Sequence, residues 1–128
     1  MTENELFESL KKTIPDLEKT KSKFSRHDCV SGLDRLVIEL KCRKKHYPTM
    51  LIEKKKYDHL IAKAEELNFT PLYINSTPEG VFVWYLDKLD IEFKLETKHP
   101  ATTHFGYTQR VPKEVGYLSI EDAERIEL

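Results

Sequence analysis

The chain has 128 residues and a formal net charge of −1, with 39% hydrophobic and 34% charged side chains. This length suits one hydrophobic core, so we predict a single domain over residues 1–128. No apolar run reaches the length of a membrane span and the N-terminus is acidic, which argues against a membrane protein or a secreted one. We therefore expect a cytoplasmic protein, in the host cytoplasm if the protein is viral.

The charge is unevenly distributed along the chain. Residues 21–63 contain 12 Lys/Arg and 5 Asp/Glu, a local charge of +7, and the remainder carries −8. A nearly neutral protein with one basic region can still bind a polyanion locally. The alternative is a basic face that is simply solvated.

The cysteines and histidines do not suggest a zinc site. Cys29 and Cys42 lie in strand-like segments without metal-type spacing to histidines, so we interpret them as free thiols in a reducing compartment. The five histidines are scattered, and none stands at ligand spacing from another.

The first half of the chain predicts a helix, a β-hairpin and a second helix. Pro15 is expected to kink the first helix or to begin a turn-rich segment, because proline cannot donate a backbone hydrogen bond. Gly32 and Asp34 favour the hairpin turn, and Thr49 is a candidate cap of the second helix. The predicted elements are a helix over 3–21, strands over 23–31 and 35–43, and a helix from about 51 to 67.

The second half is richer in strands. Ser119 and Asp122 form a capping pattern for a short final helix. Residues 99–110 are predicted as loop or irregular strand. The predicted elements are strands over 71–75, 81–86 and 91–96 and a helix over 120–127. The order helix, hairpin, helix, strand predicts an α/β fold with a mixed central sheet flanked by helices.

The second hairpin strand, within the stretch "DRLVIELKCRKK", has two very different faces. Side chains alternate across a strand, so Leu36, Ile38, Leu40 and Cys42 form one apolar face. The other face begins with Val37 and continues through Glu39, Lys41 and Arg43. If the hairpin turns near Leu33, Asp28 falls opposite Glu39.

Two close carboxylates repel each other unless a positive charge lies between them. A hard cation such as Mg²⁺ binds oxygen ligands and keeps several waters, and a neighbouring lysine can orient or deprotonate one of these waters. The set Asp28, Glu39 and Lys41 therefore suits phosphodiester hydrolysis. The alternative is a cross-strand salt-bridge cluster of the same three residues on a half-exposed sheet face.

The motif Asp28, then Glu39-Leu40-Lys41, resembles the PD-(D/E)xK nuclease superfamily, which includes restriction endonucleases, Holliday-junction resolvases and small phage nucleases. The resemblance covers residues 3–87 and implies a restriction-endonuclease-like core of helix, hairpin, helix and strand. It further implies that Asp28, Glu39 and the carbonyl of Leu40 bind Mg²⁺ or Mn²⁺, with Lys41 assisting the attacking water.

The chain departs from the superfamily pattern in one place and leaves a second point open. His27, not proline, precedes Asp28. Many members also use an acidic residue of the first helix. The candidates here are Glu3, Glu5 and Glu8, and the sequence does not choose among them.

Basic residues follow the motif in two groups. Many superfamily members place a basic residue on the next helix, and Lys56, which borders the core-facing stripe, is our candidate for a catalytic role there. Lys54 and Lys55 are expected to face solvent. The second group, Arg43, Lys44 and Lys45, is predicted to contact phosphates, with a solvated loop as the alternative.

These observations together favour a metal-dependent nuclease acting on nucleic acid, with DNA as the preferred substrate. One alternative is a catalytically inactive module of the same fold that binds nucleic acid or protein. Another is a viral interaction protein that binds through its acidic C-terminal half. No membrane partner is expected, and the oligomeric state is open, with a homodimer among the options.

Overall fold

The architecture is taken from a computed structural model that describes residues 1–20, 28–100 and 110–128, with only the backbone of residues 28, 98–100 and 110. The helices are α1 (Glu3–Thr13) and α2 (Lys54–Leu67). The strands are β1 (Glu18–Lys19), β2 (Asp28–Ser31), β3 (Leu36–Cys42), β4 (Thr49–Glu53), β5 (Thr70–Thr77), β6 (Gly80–Tyr85), β7 (Lys94–Pro100), β8 (Arg110–Ser119) and β9 (Glu124–Ile126).

The central sheet has the strand order β1-β2-β3-β5-β6-β9. Strands β3 and β5 are parallel, because α2 returns the chain between them, and the other neighbouring pairs are antiparallel. The predicted α/β fold with a mixed central sheet flanked by helices is confirmed.

The alternation in β3 explains how the sheet is covered. Ile38 and Leu40 pack on one face in a cluster with the buried side of α1, which includes Leu6. Val37, on the other face, packs in a cluster with Leu60 of α2. Glu39 and Lys41 follow Val37 on the α2 side, so the candidate site lies on the face that α2 covers.

Helix α1 is shorter than predicted. A capping box between Thr2 and Glu5 begins the helix, and Thr13 is its last residue rather than residue 21. Pro15 explains the early end, since the residue before a proline is disfavoured in the α conformation. Asp16 then accepts hydrogen bonds from the Ser31 hydroxyl (2.6 Å) and the Leu33 amide (2.9 Å), which ties this segment to the β2–β3 turn.

The predicted start of α2 was wrong by about one turn. Residues 49–53 form β4, and the helix begins at Lys54. Strand β4 belongs to a second, three-stranded antiparallel sheet with the order β4-β8-β7, in which Met50 pairs with Leu118 and Ile52 with Gly116. Pairing with a segment more than 60 residues away overrides the local helical pattern.

The C-terminal third also differs from the prediction. The sequence did not predict β8, and residues 120–127 do not form one helix. They contain a single 3-10 turn over Ile120–Asp122 and then β9, which pairs with β6. Of the predicted irregular segment 99–110, residues 101–109 lie outside the described residues, as do residues 23–27 of the first predicted strand.

Gly116 lies where β8 packs closely against the side chains of residues 91–93, and this close contact leaves no room for a Cβ atom. A Cβ atom at this position would lie 2.5 Å from Cγ2 of Ile91 and 3.1 Å from Cε1 of Phe93. The close approach lets this segment cover the second sheet. Within the described ranges, no helix is long and apolar enough to span a membrane.

Candidate active site

The β2–β3 hairpin places Asp28 directly opposite Glu39, as the sequence predicted. The ladder pairs Asp28 with Glu39, Cys29 with Ile38 and Val30 with Val37. Directly opposed residues of an antiparallel pair share one face of the sheet. The convergence of the two carboxylates on one cation stays a prediction.

Glu39 is a buried carboxylate with incomplete hydrogen bonding. The residue is 3% exposed, and its Oε1 lies 3.7 Å from the Nζ of Lys56. Its buried Oε2 has no hydrogen-bond partner among the described residues. A buried charge is costly unless other groups compensate it, and an unpartnered carboxylate oxygen is what a hard, oxygen-binding cation would satisfy. Glu39 therefore fits the role of a metal ligand.

Lys41 lies two residues farther along the same face and is partly buried. Burial lowers the pKa of Lys41, and the neighbouring charges of Arg43 and Lys56 lower it further, against the opposing effect of the carboxylates of Glu3 and Glu53. A lysine with a lowered pKa gives up its proton more readily than an exposed one. A role for Lys41 in proton transfer stays a prediction.

The first turn of α2 brings one of its three lysines to Glu39. That lysine is Lys56, which is also the candidate that the sequence favoured. Lys54 forms an ion pair with Asp58 at 2.7 Å, and Lys55 is exposed. Of these three lysines, Lys56 is the one beside Glu39, and its catalytic role stays a prediction.

The structure also favours one of the three acidic candidates on α1. Glu3 is partly buried, and its charge acts on both Lys41 and Cys42. Glu5 is engaged in the capping box, where its Oε1 accepts from the Thr2 amide at 3.1 Å, and Glu8 is exposed. Glu3 is therefore the preferred candidate of the three, and its participation in the site stays a prediction.

Arg43 lies inside a polar network rather than on an open surface. Its Nε donates to Oδ1 of Asn75 (3.2 Å), and its Nη2 donates to the carbonyl of Leu51 (2.6 Å) and to the hydroxyl of Tyr73 (3.0 Å). These bonds join β3, β4 and β5. The arrangement favours a structural role for Arg43. Alternation along β3 had placed Arg43 on the same face as Lys41, but it did not indicate these hydrogen-bond partners.

Lys44 and Lys45, which follow Arg43, are exposed. Phosphate contact by Arg43, Lys44 and Lys45 stays a prediction, and their placement favours the two lysines for it. The carbonyl of Leu40 as a metal ligand also stays a prediction.

Sequence reasoning missed an ion pair between Glu53 and Lys113. The Nζ of Lys113 lies 2.7 Å from Oε1 of Glu53, at the junction of β4 and α2. Glu53 was assigned to the first turn of the second helix, and residue 113 to no element. The sequence carries no signal that these two residues meet.

A metal site at this position depends on residue 28. Among the side chains that the structure describes, no group of three His, Cys, Asp or Glu residues could hold a metal ion. Metal binding by Asp28 and Glu39 stays a prediction, supported by the pairing of the two residues in the hairpin.

Comparison with known proteins identifies the fold. No protein-family model matches the sequence, and no curated protein matches it. The structure is similar to that of Hjc, a Holliday junction resolvase from the archaeal hyperthermophile Archaeoglobus fulgidus, with a TM-score of 0.59 and 13% sequence identity. The match covers 98% of this chain and 93% of the resolvase chain. The resolvase-like fold expected from the motif and the order of elements is confirmed.

Proposed function

We propose that the protein is a metal-dependent nuclease that hydrolyses phosphodiester bonds of DNA. The observation that carries the proposal is the buried Oε2 of Glu39, which has no hydrogen-bond partner in the described part of the chain. Glu39 lies directly opposite Asp28 in the hairpin and two residues before the partly buried Lys41. The resolvase-like fold supports it, because the structural neighbour with this fold is a Holliday junction resolvase.

Asp28, Glu39 and the carbonyl of Leu40 would hold Mg²⁺ or Mn²⁺. The bound cation would polarise the scissile phosphate and acidify a water molecule. The oxygen-only donor set suits either ion.

The remaining groups of the site have distinct roles. Lys41 would orient the attacking water and accept its proton, for which its lowered pKa is suited. Lys56, as a cation beside Glu39, would stabilise the charge that develops on the phosphate oxygens. Glu3 of α1, whose charge opposes the lowering of the Lys41 pKa, would add a further carboxylate.

DNA is the proposed substrate for two reasons. The exposed Lys44 and Lys45 leave β3 just after the site and offer phosphate contacts. The structural neighbour is a Holliday junction resolvase, so four-way junctions are the first substrate to test.

A second candidate function is a catalytically inactive module that binds nucleic acid or protein. The ion pair between Lys56 and Glu39 favours this candidate, since the lysine gives the buried carboxylate a cation from within the chain. In such a module Glu39 and Lys56 would contribute to stability alone.

A cleavage screen separates the two candidates. Labelled four-way junctions, duplex DNA, single-stranded DNA and RNA are incubated with the protein in Mg²⁺, in Mn²⁺ or in EDTA. The nuclease proposal predicts cleavage that requires the metal and disappears in Glu39→Gln, which keeps the shape of the side chain but removes its charge. Binding without cleavage of any substrate in either metal would instead support the inactive module.

A further inference from the structure

The first turn of α2 forms against its local sequence. It contains Lys54, Lys55 and Lys56 and no acidic residue, and the residue before it, Glu53, makes no side-chain capping bond. Cations at the positive end of the helix dipole destabilise the first turn, and a missing cap leaves its backbone amides without side-chain acceptors. The buried residues that anchor α2 on the sheet, Leu60 and Ala64, lie beyond this turn. The ion pair of Lys54 with Asp58 opposes these effects, but an exposed pair contributes little. Local sequence therefore still favours fraying here.

The second sheet supplies a contact that opposes fraying. Glu53 is the last residue of β4 and pairs with Val115 of β8. Its carboxylate accepts a hydrogen bond of 2.7 Å from the Nζ of Lys113, which is also in β8. The side chains of Lys113 and Glu53 are only 23% and 32% exposed. A partly buried pair of this kind is less screened by solvent than an exposed one.

We propose that the Lys113–Glu53 pair holds the first turn of α2 in place and thereby keeps Lys56 against Glu39. Lys113 is then a positioning residue, which acts on the site through Glu53 and the helix start. Its consequence for catalysis rests on the proposed nuclease function, whereas its effect on the position of Lys56 does not. The second sheet, which the sequence did not predict, becomes a structural support of the site.

The position of Lys56 can be measured without metal or substrate. Brief acylation of the folded protein, read by mass spectrometry, compares Lys56, beside a buried carboxylate, with its exposed neighbour Lys55. In the wild type Lys56 should react several-fold more slowly than Lys55. In Lys113→Met this difference should largely disappear, and Lys113→Arg should restore it.

Two further variants make the result decisive. Lys94→Met removes an exposed lysine from the neighbouring strand β7 and should leave the reactivity of Lys56 unchanged. Glu53→Gln breaks the same pair from the other side, so it carries the test if Lys113→Met does not fold by circular dichroism. Protection of Lys56 that survives loss of either partner would overturn the proposal.

Failure of this inference and failure of the nuclease proposal give different results. If wild-type protein cleaves no substrate but Lys113→Met exposes Lys56, the positioning role stands and the nuclease proposal falls. If the protein cleaves DNA, Lys56→Met and Lys113→Met should slow single-turnover cleavage by similar factors. The double variant should then be no slower than Lys56→Met, and multiplicative losses would contradict a role that acts through Lys56.

Discussion

Replacing Arg43 should destabilise the fold, whereas replacing the two lysines after it should weaken DNA binding and leave the stability nearly unchanged. Arg43→Ala removes the partner of Asn75 Oδ1 and two further hydrogen bonds, to the Leu51 carbonyl and the Tyr73 hydroxyl. Asn75 is fully buried, and its Nδ2 already has no partner within the described part of the chain. The buried Oδ1 of Asn75 would then lose the hydrogen bond that Arg43 donates.

The expected loss of stability follows from this geometry. Leaving a buried polar group unsatisfied costs about 1–3 kcal/mol, and a hydrogen bond from a charged donor contributes about 1.5–3 kcal/mol. The hydroxyl of Tyr73 keeps its bond to the Leu51 carbonyl at 3.2 Å, which limits the damage. We therefore expect Arg43→Ala to lower the free energy of unfolding by about 3–5 kcal/mol, near the upper end for single substitutions.

Chemical denaturation measures this loss, and the exposed lysines provide the control. The double variant Lys44→Ala/Lys45→Ala should change the free energy of unfolding by no more than about 0.5 kcal/mol per residue, as surface substitutions do. It should weaken DNA binding and reduce the slope of log K against log salt by up to about 1.8, or about 0.9 per lost phosphate contact. A normally stable Arg43→Ala protein with an equally reduced salt slope would refute the structural assignment of Arg43.

Three further outcomes are expected. Lys41→Ala should slow cleavage by a factor on the order of 10² or more without weakening Mn²⁺ binding, because it removes a group that acts on the nucleophile but is not a ligand; a matching loss of metal affinity would contradict this role. Gly116→Ala should destabilise the fold by about 1–3 kcal/mol through the contact of its Cβ with Ile91, whereas Gly32→Ala, with open space around it, should be nearly neutral in the same denaturation assay. Hydrogen bonds from Ser31 and Leu33 of the hairpin lower the pKa of Asp16, so the stability that its carboxylate contributes should be present above the unfolded pKa of about 3.9 and be lost as pH falls through the folded pKa. Asp16→Asn should therefore reduce the loss of folding free energy at acid pH, measured by denaturation at a series of pH values. An unchanged pH dependence would show that Asp16 does not cause it.

The site was accessible to sequence reasoning because it is built from one strand and its hairpin partner. Alternation along β3 separates Ile38 and Leu40 from Glu39 and Lys41, and a short turn fixes the register with Asp28. The core-facing stripe of α2, which includes Leu60 and Ala64, likewise placed Lys56 at its border, on the side where Glu39 lies. Local periodicity and one nearby turn were sufficient for these residues.

The second sheet was not accessible for a physical reason. Strand β4 has only five residues, and its partner β8 begins 57 residues after β4 ends. Because no local pattern encodes which distant segment a strand pairs with, neither the true start of α2 nor the Glu53–Lys113 pair could be predicted. The hydrogen bonds of Arg43 could not be predicted for the same reason, since its acceptors lie on β4 and β5.

Calorimetric titration of Mn²⁺ into the wild type and Glu39→Gln tests the central claim most directly. A metal site built on the unpartnered carboxylate oxygen of Glu39 predicts that the wild type binds Mn²⁺ and that Glu39→Gln binds it at least tenfold more weakly, while both remain folded. Lys56→Met provides an internal check, since removing the cation beside Glu39 should leave Mn²⁺ affinity equal or higher. Absence of Mn²⁺ binding to the wild type, or equal affinities in the wild type and Glu39→Gln, would contradict a metal centre at this position.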